Sequence, residues 1–337
     1  MTKPAAIAVA VLVALVLSAC GAKSEDVNPQ TEPFSVALDW YPNPDHAGLY
    51  VAQDKGYFKD AGLDVSLDTP TDPSLPIKLV AAGKVDLALS YEPEVLLARE
   101  QGLDVQAVAA VVNRPLTSMI WLKKSGVKRV ADLKGKTVSN AGIAYQEAYL
   151  KTILGRAGLT ENDVKSVGVS QGLVPSIVSG QAQATIGPFW NIEGIDLKLS
   201  GQKPTVNPVD KLGVPSYDEL VLVARGQTIK DDPEAIRLFI GALSRGTSEA
   251  VAKPNEAIST ITKANPDLQH KVTAAQVKAT LPILDNKTKK HPYGFMDSRT
   301  WQTFIDWMVK NDLLSNPARS VDSLTNDLLP TGVVDEG

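Results

Sequence analysis

The chain has 337 residues, 34 basic and 38 acidic, with 44% in the hydrophobic class and one cysteine. That length buries two domain-sized cores without staples, and the lone cysteine excludes an internal disulfide framework. A balanced, slightly acidic charge excludes a nucleic-acid binder that works by counterion release, and the apolar content excludes a disordered chain.

Met1-Thr2-Lys3-Pro4 gives a short basic start. An apolar run of about 13 residues from Ala5 to Leu17 follows, too short for the roughly 20 residues of a membrane span. Leu17-Ser18-Ala19-Cys20 resembles the bacterial lipobox. Residues 1–19 are therefore expected to be a lipoprotein signal peptide and Cys20 an acylated first residue, for which no thiol partner is needed. Residues 20–33 are polar and read as a tether. The expected location is the cell membrane, lipid-anchored on its extracytoplasmic face.

From residue 34 onward short apolar runs alternate with amphipathic stretches. Strands are expected at Phe34–Asp39, Leu63–Leu67, Asp86–Leu89, Val105–Val112, Thr117–Leu122, Lys136–Ser139, Val164–Val169, Ala182–Ile186 and Leu220–Ala224. Helices are expected at His46–Lys55, Leu75–Ala82, Pro93–Gln101, Tyr145–Ala157 and Pro175–Ser179. This alternation predicts an α/β chain with largely parallel sheets. From Asp232 on, the pattern is helical: Pro233–Ala252, Pro254–Ala264, Thr273–Leu284 and Asp297–Lys310. Asp232-Pro233 is a carboxylate cap with proline at the first helical position. Trp301, Phe304, Ile305 and Met308 fall on one helical face and read as core. Glycines and prolines around 126–135 and 213–215 place crossings between two lobes near Leu122 and Leu220. One lobe is then 34–121 plus 222–337 and the other 122–221, with a ligand cleft between them.

Nothing in the chain points to catalysis or metal binding. There are three histidines, and no zinc, nucleophile-elbow, Walker or dinucleotide signature. Glu92 and Glu94 flank Pro93 where a helix start attracts acids. Three clusters instead put aromatic and polar groups directly after strands: Asp39, Trp40, Tyr41, Asn43 and His46; Tyr91 and Glu94; Phe189, Trp190, Asn191 and Glu193. Ser118 and Tyr145 complete the candidate ligand-binding set. A flat heterocycle stacked on such rings gains roughly 1–3 kcal/mol per good stack. A carboxylate such as Glu193 accepts hydrogen bonds from N–H donors, most strongly from cationic ones. Sulfonates need donors instead, so these acids fit a neutral or cationic heterocycle.

Trp40-Tyr41-Pro42-Asn43-Pro44-x-His46, Gly48-Leu49-Tyr50-Val51-Ala52 and Lys55-Gly56-Tyr57-Phe58 resemble the solute-binding proteins of ABC importers. Ser90-Tyr91-x-Pro93-Glu94, Trp190-Asn191-Ile192-Glu193-Gly194 and Gly213-Val214-Pro215-x-Tyr217-Asp218-Glu219-Leu220 narrow the resemblance to binders of thiamine pyrimidine precursors. The resemblance implies a two-lobed, type II periplasmic binding protein, a flytrap with two hinge crossings. It also implies a permease and an ATPase as partners, a monomer, no nucleic acid and no cofactor. Riboflavin binders and sulfonate binders share this architecture and are the alternative ligand classes. The superfamily also contains a eukaryotic pyrimidine synthase that consumes its own histidine with pyridoxal phosphate. His46 occupies the motif position of that histidine, but no lysine here is marked for a Schiff base.

Overall fold

The computed structural model describes residues 31–330 except 73, 170–171, 289 and 316–321. The expected signal segment, Cys20 and residues 20–30 of the tether lie outside the described residues. Glu32 and Pro33, expected to belong to the tether, instead pair with Leu63 and Asp64 in a sheet.

The first half of the chain runs β1 (Glu32–Ala37), α1 (Ala47–Asp54), α2 (Tyr57–Asp60), β2 (Leu63–Asp68), α3 (Pro76–Ala81), β3 (Leu87–Ser90), α4 (Glu92–Glu100) and β4 (Val105–Val112). Next come β5 (Thr117–Leu122), β6 (Thr137–Asn140), α5 (Ala144–Arg156), β7 (Lys165–Gly168), α6 (Leu173–Ser179), β8 (Ala184–Phe189), α7 (Glu193–Leu199) and β9 (Pro204–Pro208). The remainder is β10 (Leu220–Arg225), α8 (Gly226–Asp231), α9 (Pro233–Ala252), α10 (Pro254–Ala264), α11 (His270–Leu284) and α12 (Ser298–Lys310).

The strands form two sheets, ordered β2-β1-β3-β10-β4 and β7-β6-β8-β5-β9. In the first sheet β10 alone is reversed, and in the second β5 alone. The sheets are thus mixed, each parallel but for one strand. Strand β5, expected in the first lobe, pairs with β8 and β9 in the second sheet. The first passage between sheets is therefore 113–116, ahead of Leu122. Asn113 through Leu116 carries a proline and no alternating pattern, so it runs as a connector while Thr117 already enters the ladder. The chain returns to the first sheet between β9 and β10.

Burial follows sheet position except at β4, an edge strand that is covered by the segments around Gly294 and Leu324 and is buried nearly throughout. The inner strands β3, β5 and β10 are buried almost end to end, as strands covered on both faces must be. The edge strands β2 and β7 are polar and partly exposed, which blunts pairing with another chain. Helices α1, α9, α10 and α11 cover one face of the first sheet. There Phe239 of α9 stacks between Phe34 of β1 (centroids 5.3 Å) and Phe58 of α2 (4.9 Å). Gly246 of α9 lets α1 approach closely, since a Cβ there would collide with the Gly48 carbonyl oxygen.

On the opposite face α12 buries Trp301, Phe304, Ile305 and Met308, the expected core residues. This apolar layer continues into the second sheet: Phe304 and Trp307 join Tyr149 of α5 and Tyr217 in one aromatic column. Trp307 also donates its indole N–H to Thr152 of α5 at 3.1 Å. Helix α12 thereby spans both sheets.

Candidate functional site

Residues just after β1 and β3 meet the end of β8: Tyr91 reaches Asp39 and packs against Phe189. The segment after β1 is built as a rigid corner. Asn43 caps a single turn at Pro44–His46, its Oδ1 accepting the Asp45 N–H at 2.8 Å. Asn265, just beyond α10, donates its side-chain N–H to the Pro42 carbonyl at 2.9 Å. His46 is fully buried (0% exposed). Its Nδ1 accepts the Asn43 backbone N–H at 3.3 Å, so Nε2 carries the proton and donates to Asp39 Oδ1 at 2.8 Å. The other Asp39 oxygen accepts the Tyr91 hydroxyl at 2.7 Å. Burial pushes the Asp39 carboxyl up, but the His46 and Tyr91 hydrogen bonds win and hold it below the ordinary range.

Tyr91 meets Phe189, the last residue of β8, edge to face at 6.4 Å between centroids. The Phe189 N–H donates to Glu193 Oε2 at 2.8 Å, tying the first residue of α7 back to the strand end. Burial raises the Glu193 carboxyl. Glu94 accepts the Ser90 hydroxyl at 2.8 Å and is pushed up to about 7 by burial. Burial raises the hydroxyl of Tyr145, at the start of α5, and the Glu94 and Glu219 carboxyls add to the shift. Asp39, Tyr91, Phe189 and Glu193 are thus linked in one chain of contacts, with Glu94 and Tyr145 beside it. No lysine or arginine pairs with Asp39, Glu94 or Glu193 among the described residues.

Other residues of the expected set have structural duties. Trp40 is half-buried and Tyr41 is 56% exposed, the two rings meeting edge to face at 5.7 Å. Ser118 is buried and donates to the Leu116 carbonyl at 3.1 Å. Tyr145 packs on Tyr149 at 5.5 Å. The half-buried Trp190 donates its backbone N–H to Leu116 and its indole N–H to Pro115, both carbonyls of the 113–116 passage. Asn191 is buried and donates to Asp45 Oδ1 at 2.6 Å and to Thr280 Oγ1 of α11 at 2.8 Å, while its own oxygen has no protein partner. Gln276, one turn earlier on α11, donates to the Ile192 carbonyl at 3.0 Å. The 189–192 segment of the second sheet is therefore pinned to elements of the first.

Sequence reasoning missed Asp45, Thr280 and Gln276. Asp45 stood inside the quoted motif, but nothing local marks it as the partner of an asparagine 146 positions away. Thr280 and Gln276 look like ordinary polar positions of a surface helix.

Burial also pushes Asp45 and Asp218 up to about 7. Together with Glu94, these groups keep protons in the folded chain that an unfolded carboxyl, titrating near 4, has already released. The folded state then binds more protons between about pH 4 and 7, so its stability falls as pH rises through that window. Asp39 has the opposite sign and withdraws its contribution only below about pH 4. Calorimetric melting is expected to give a higher midpoint at about pH 5 than at about pH 8. A midpoint that rises from pH 5 to 8 contradicts the assignment.

The profile of the NMT1/THI5-like family matches residues 43–257. A formylaminopyrimidine-binding protein of Halalkalibacterium halodurans is 37% identical over 320 residues, covering 94% of this chain and 96% of that one. A 4-amino-5-hydroxymethyl-2-methylpyrimidine phosphate synthase of Saccharomyces cerevisiae is 26% identical over 287 residues, covering 82% and 81%. Among solved structures, the alkanesulfonate-binding protein SsuA of Xanthomonas axonopodis pv. citri, bound to MOPS, superimposes with a TM-score of 0.68 at 17% identity. That superposition covers 88% of this chain and 99% of SsuA, and makes the fold that of a two-lobed periplasmic binding protein. By the span of the profile match and the identity to the formylaminopyrimidine-binding protein, the chain belongs to the NMT1/THI5-like family.

Proposed function

We propose that this protein is the extracytoplasmic solute-binding component of an ABC importer and captures a pyrimidine precursor of thiamine between its two lobes. One observation carries the reading. Three carboxylates (Asp39, Glu94 and Glu193) and the Tyr91–Phe189 ring pair gather at converging strand ends, with no lysine or arginine paired to them. An aminopyrimidine offers what such a site lacks: N–H donors along an edge and a flat face. Glu193 accepts from the exocyclic amine and ring nitrogen, and Tyr91 and Phe189 cover the ring. Asp39 is held charged and oriented by His46. The exposed Tyr41 and the adjacent Trp40 form the lip. Asn43, His46, Ser118, Tyr145 and Asn191 act as supports that fix these groups.

In this reading the lobes meet at residues 113–116 and at the stretch between β9 and β10. Closure brings Asn191 onto Asp45 and Thr280. Cys20 carries the lipid anchor, and a permease and an ATPase receive the ligand from a monomeric binder. The name of the Halalkalibacterium relative supports the ligand class. The yeast relative's name raises an enzyme as the second reading. Against it, His46 is sealed from solvent with both ring nitrogens engaged, so it serves as a strut and is not placed to react with a bound cofactor.

The test is thermal-shift and calorimetric screening of hydroxymethylpyrimidine, its formylamino analogue, thiamine, riboflavin and taurine. The pyrimidines are expected to raise the melting temperature most. A larger response to riboflavin or taurine reassigns the ligand, and a flat response to all five removes the binding reading.

A further inference from the structure

The two passages between the sheets converge on one side chain. Glu219, 3% exposed, is the residue before β10. Its Oε2 accepts the backbone N–H groups of Leu116 at 2.7 Å and Thr117 at 2.8 Å, and the Tyr217 hydroxyl at 2.9 Å. Its Oε1 accepts the Thr117 hydroxyl at 3.0 Å. Leu116 and Thr117 end the outward passage, and Tyr217 and Glu219 lie on the return. Among the described residues no cation pairs with Glu219, so four donors alone satisfy a buried carboxylate.

Its neighbours hold different bodies of the molecule. Tyr217 stacks on Tyr149 of α5 (5.6 Å) and packs at a tilt against Phe304 of α12 (4.8 Å). The Asp218 backbone N–H donates to Glu92 of α4 at 2.7 Å, and the Asp218 side chain accepts the Trp301 indole N–H of α12 at 2.7 Å. Three successive residues thus grip the second lobe, the first lobe and the opposite passage. A rigid knot at the pivot of two bodies restricts the angles between them.

We propose that Glu219 is the positioning residue of the hinge: it clamps both passages with one carboxylate and so sets the resting angle between the lobes and, through it, the affinity of the cleft. The part concerning affinity rests on the binding reading above; the part concerning the angle does not. The role belongs to the grip more than to the charge. A glutamine in the same pose keeps one oxygen on Leu116, Thr117 and Tyr217 and turns its amide to the Thr117 hydroxyl, which can accept.

The experiment compares wild type, Glu219→Ala and Glu219→Gln, each shown to be folded by circular dichroism. The readouts are small-angle scattering without ligand and calorimetric titration with hydroxymethylpyrimidine. Glu219→Ala is expected to have a larger unliganded radius of gyration and at least tenfold weaker binding, and Glu219→Gln to recover wild-type values in both. A folded Glu219→Ala with wild-type scattering overturns the proposal. So does a Glu219→Gln as loose as the alanine variant. If the wild type ignores the pyrimidine, the binding reading fails, and scattering alone decides the clamp. Should Glu219→Ala not fold, the double variant Thr117→Val, Tyr217→Phe removes two of the four donors. The same expansion is expected of it, and its absence counts equally against the clamp.

Discussion

Asp39→Ala is expected to abolish the ligand-induced rise in melting temperature and to cost the unliganded protein about 3 kcal/mol, because it strands two hydrogen-bond donors that each cost about 1–3 kcal/mol when left unsatisfied. Those donors are the His46 Nε2–H and the Tyr91 hydroxyl. The damage spreads along the segment, since His46 also receives the Asn43 N–H and so fixes the corner that carries Trp40 and Tyr41. Asp39→Asn separates charge from shape. It keeps one accepting oxygen but turns an amide toward a donor, and intermediate losses are expected in both stability and affinity. Urea unfolding and calorimetry with hydroxymethylpyrimidine measure the two effects. Wild-type behaviour of the alanine variant in both takes Asp39 out of the site and out of its framework.

Phe239→Ala is expected to lower stability by about 3–5 kcal/mol, the usual range for emptying a large aromatic from a tight core. The ring is fully buried between two parallel neighbours, Phe34 and Phe58, which belong to a strand and a one-turn helix and have little freedom to close the gap. Phe239→Leu fills much of the volume and is expected to lose less than half as much. The urea midpoint should drop for both at an unchanged slope. Phe239 sits among the helices outside the first sheet, so pyrimidine affinity of the folded variant is expected to match wild type. A weakened affinity at full folding counts against that separation.

Local chemistry made much of the architecture legible. Helix α9 begins where expected because Asp232 accepts the Ala235 N–H and Pro233 occupies the first position. The core face of α12 followed from the spacing of its aromatics. Strand β9 escaped notice because Pro204–Pro208 is bounded by prolines, half-buried and only five residues long. Helix α7 was hidden inside the run Trp190 to Gly194, whose aromatics drew attention to recognition while Glu193 was already turning into helix. Helix α2 is a single turn with no period to detect. At the site, strand-end position marked Asp39, Tyr91 and Phe189 as a group. What was not legible is the set of pairings that hold these segments together, such as Asn191 with Asp45 and Glu219 with Leu116. These join distant parts of the chain, and no spacing along one sequence encodes them.

The order of strands also bears on how the molecule comes into being. The second sheet is assembled from one uninterrupted stretch, 117–208, so all of its ladder partners are present once residue 208 has been synthesised. The first sheet has no such independence. Strands β3 and β4 are made early, yet they do not touch in the ladder; β10 must enter between them, pairing with both. Until residue 225 is available, the earlier half of the chain holds two unfinished edges of buried, apolar character. The later-made sheet is therefore the first that can close, and the nascent chain carries its N-terminal strands as the exposed, aggregation-prone partner during that interval.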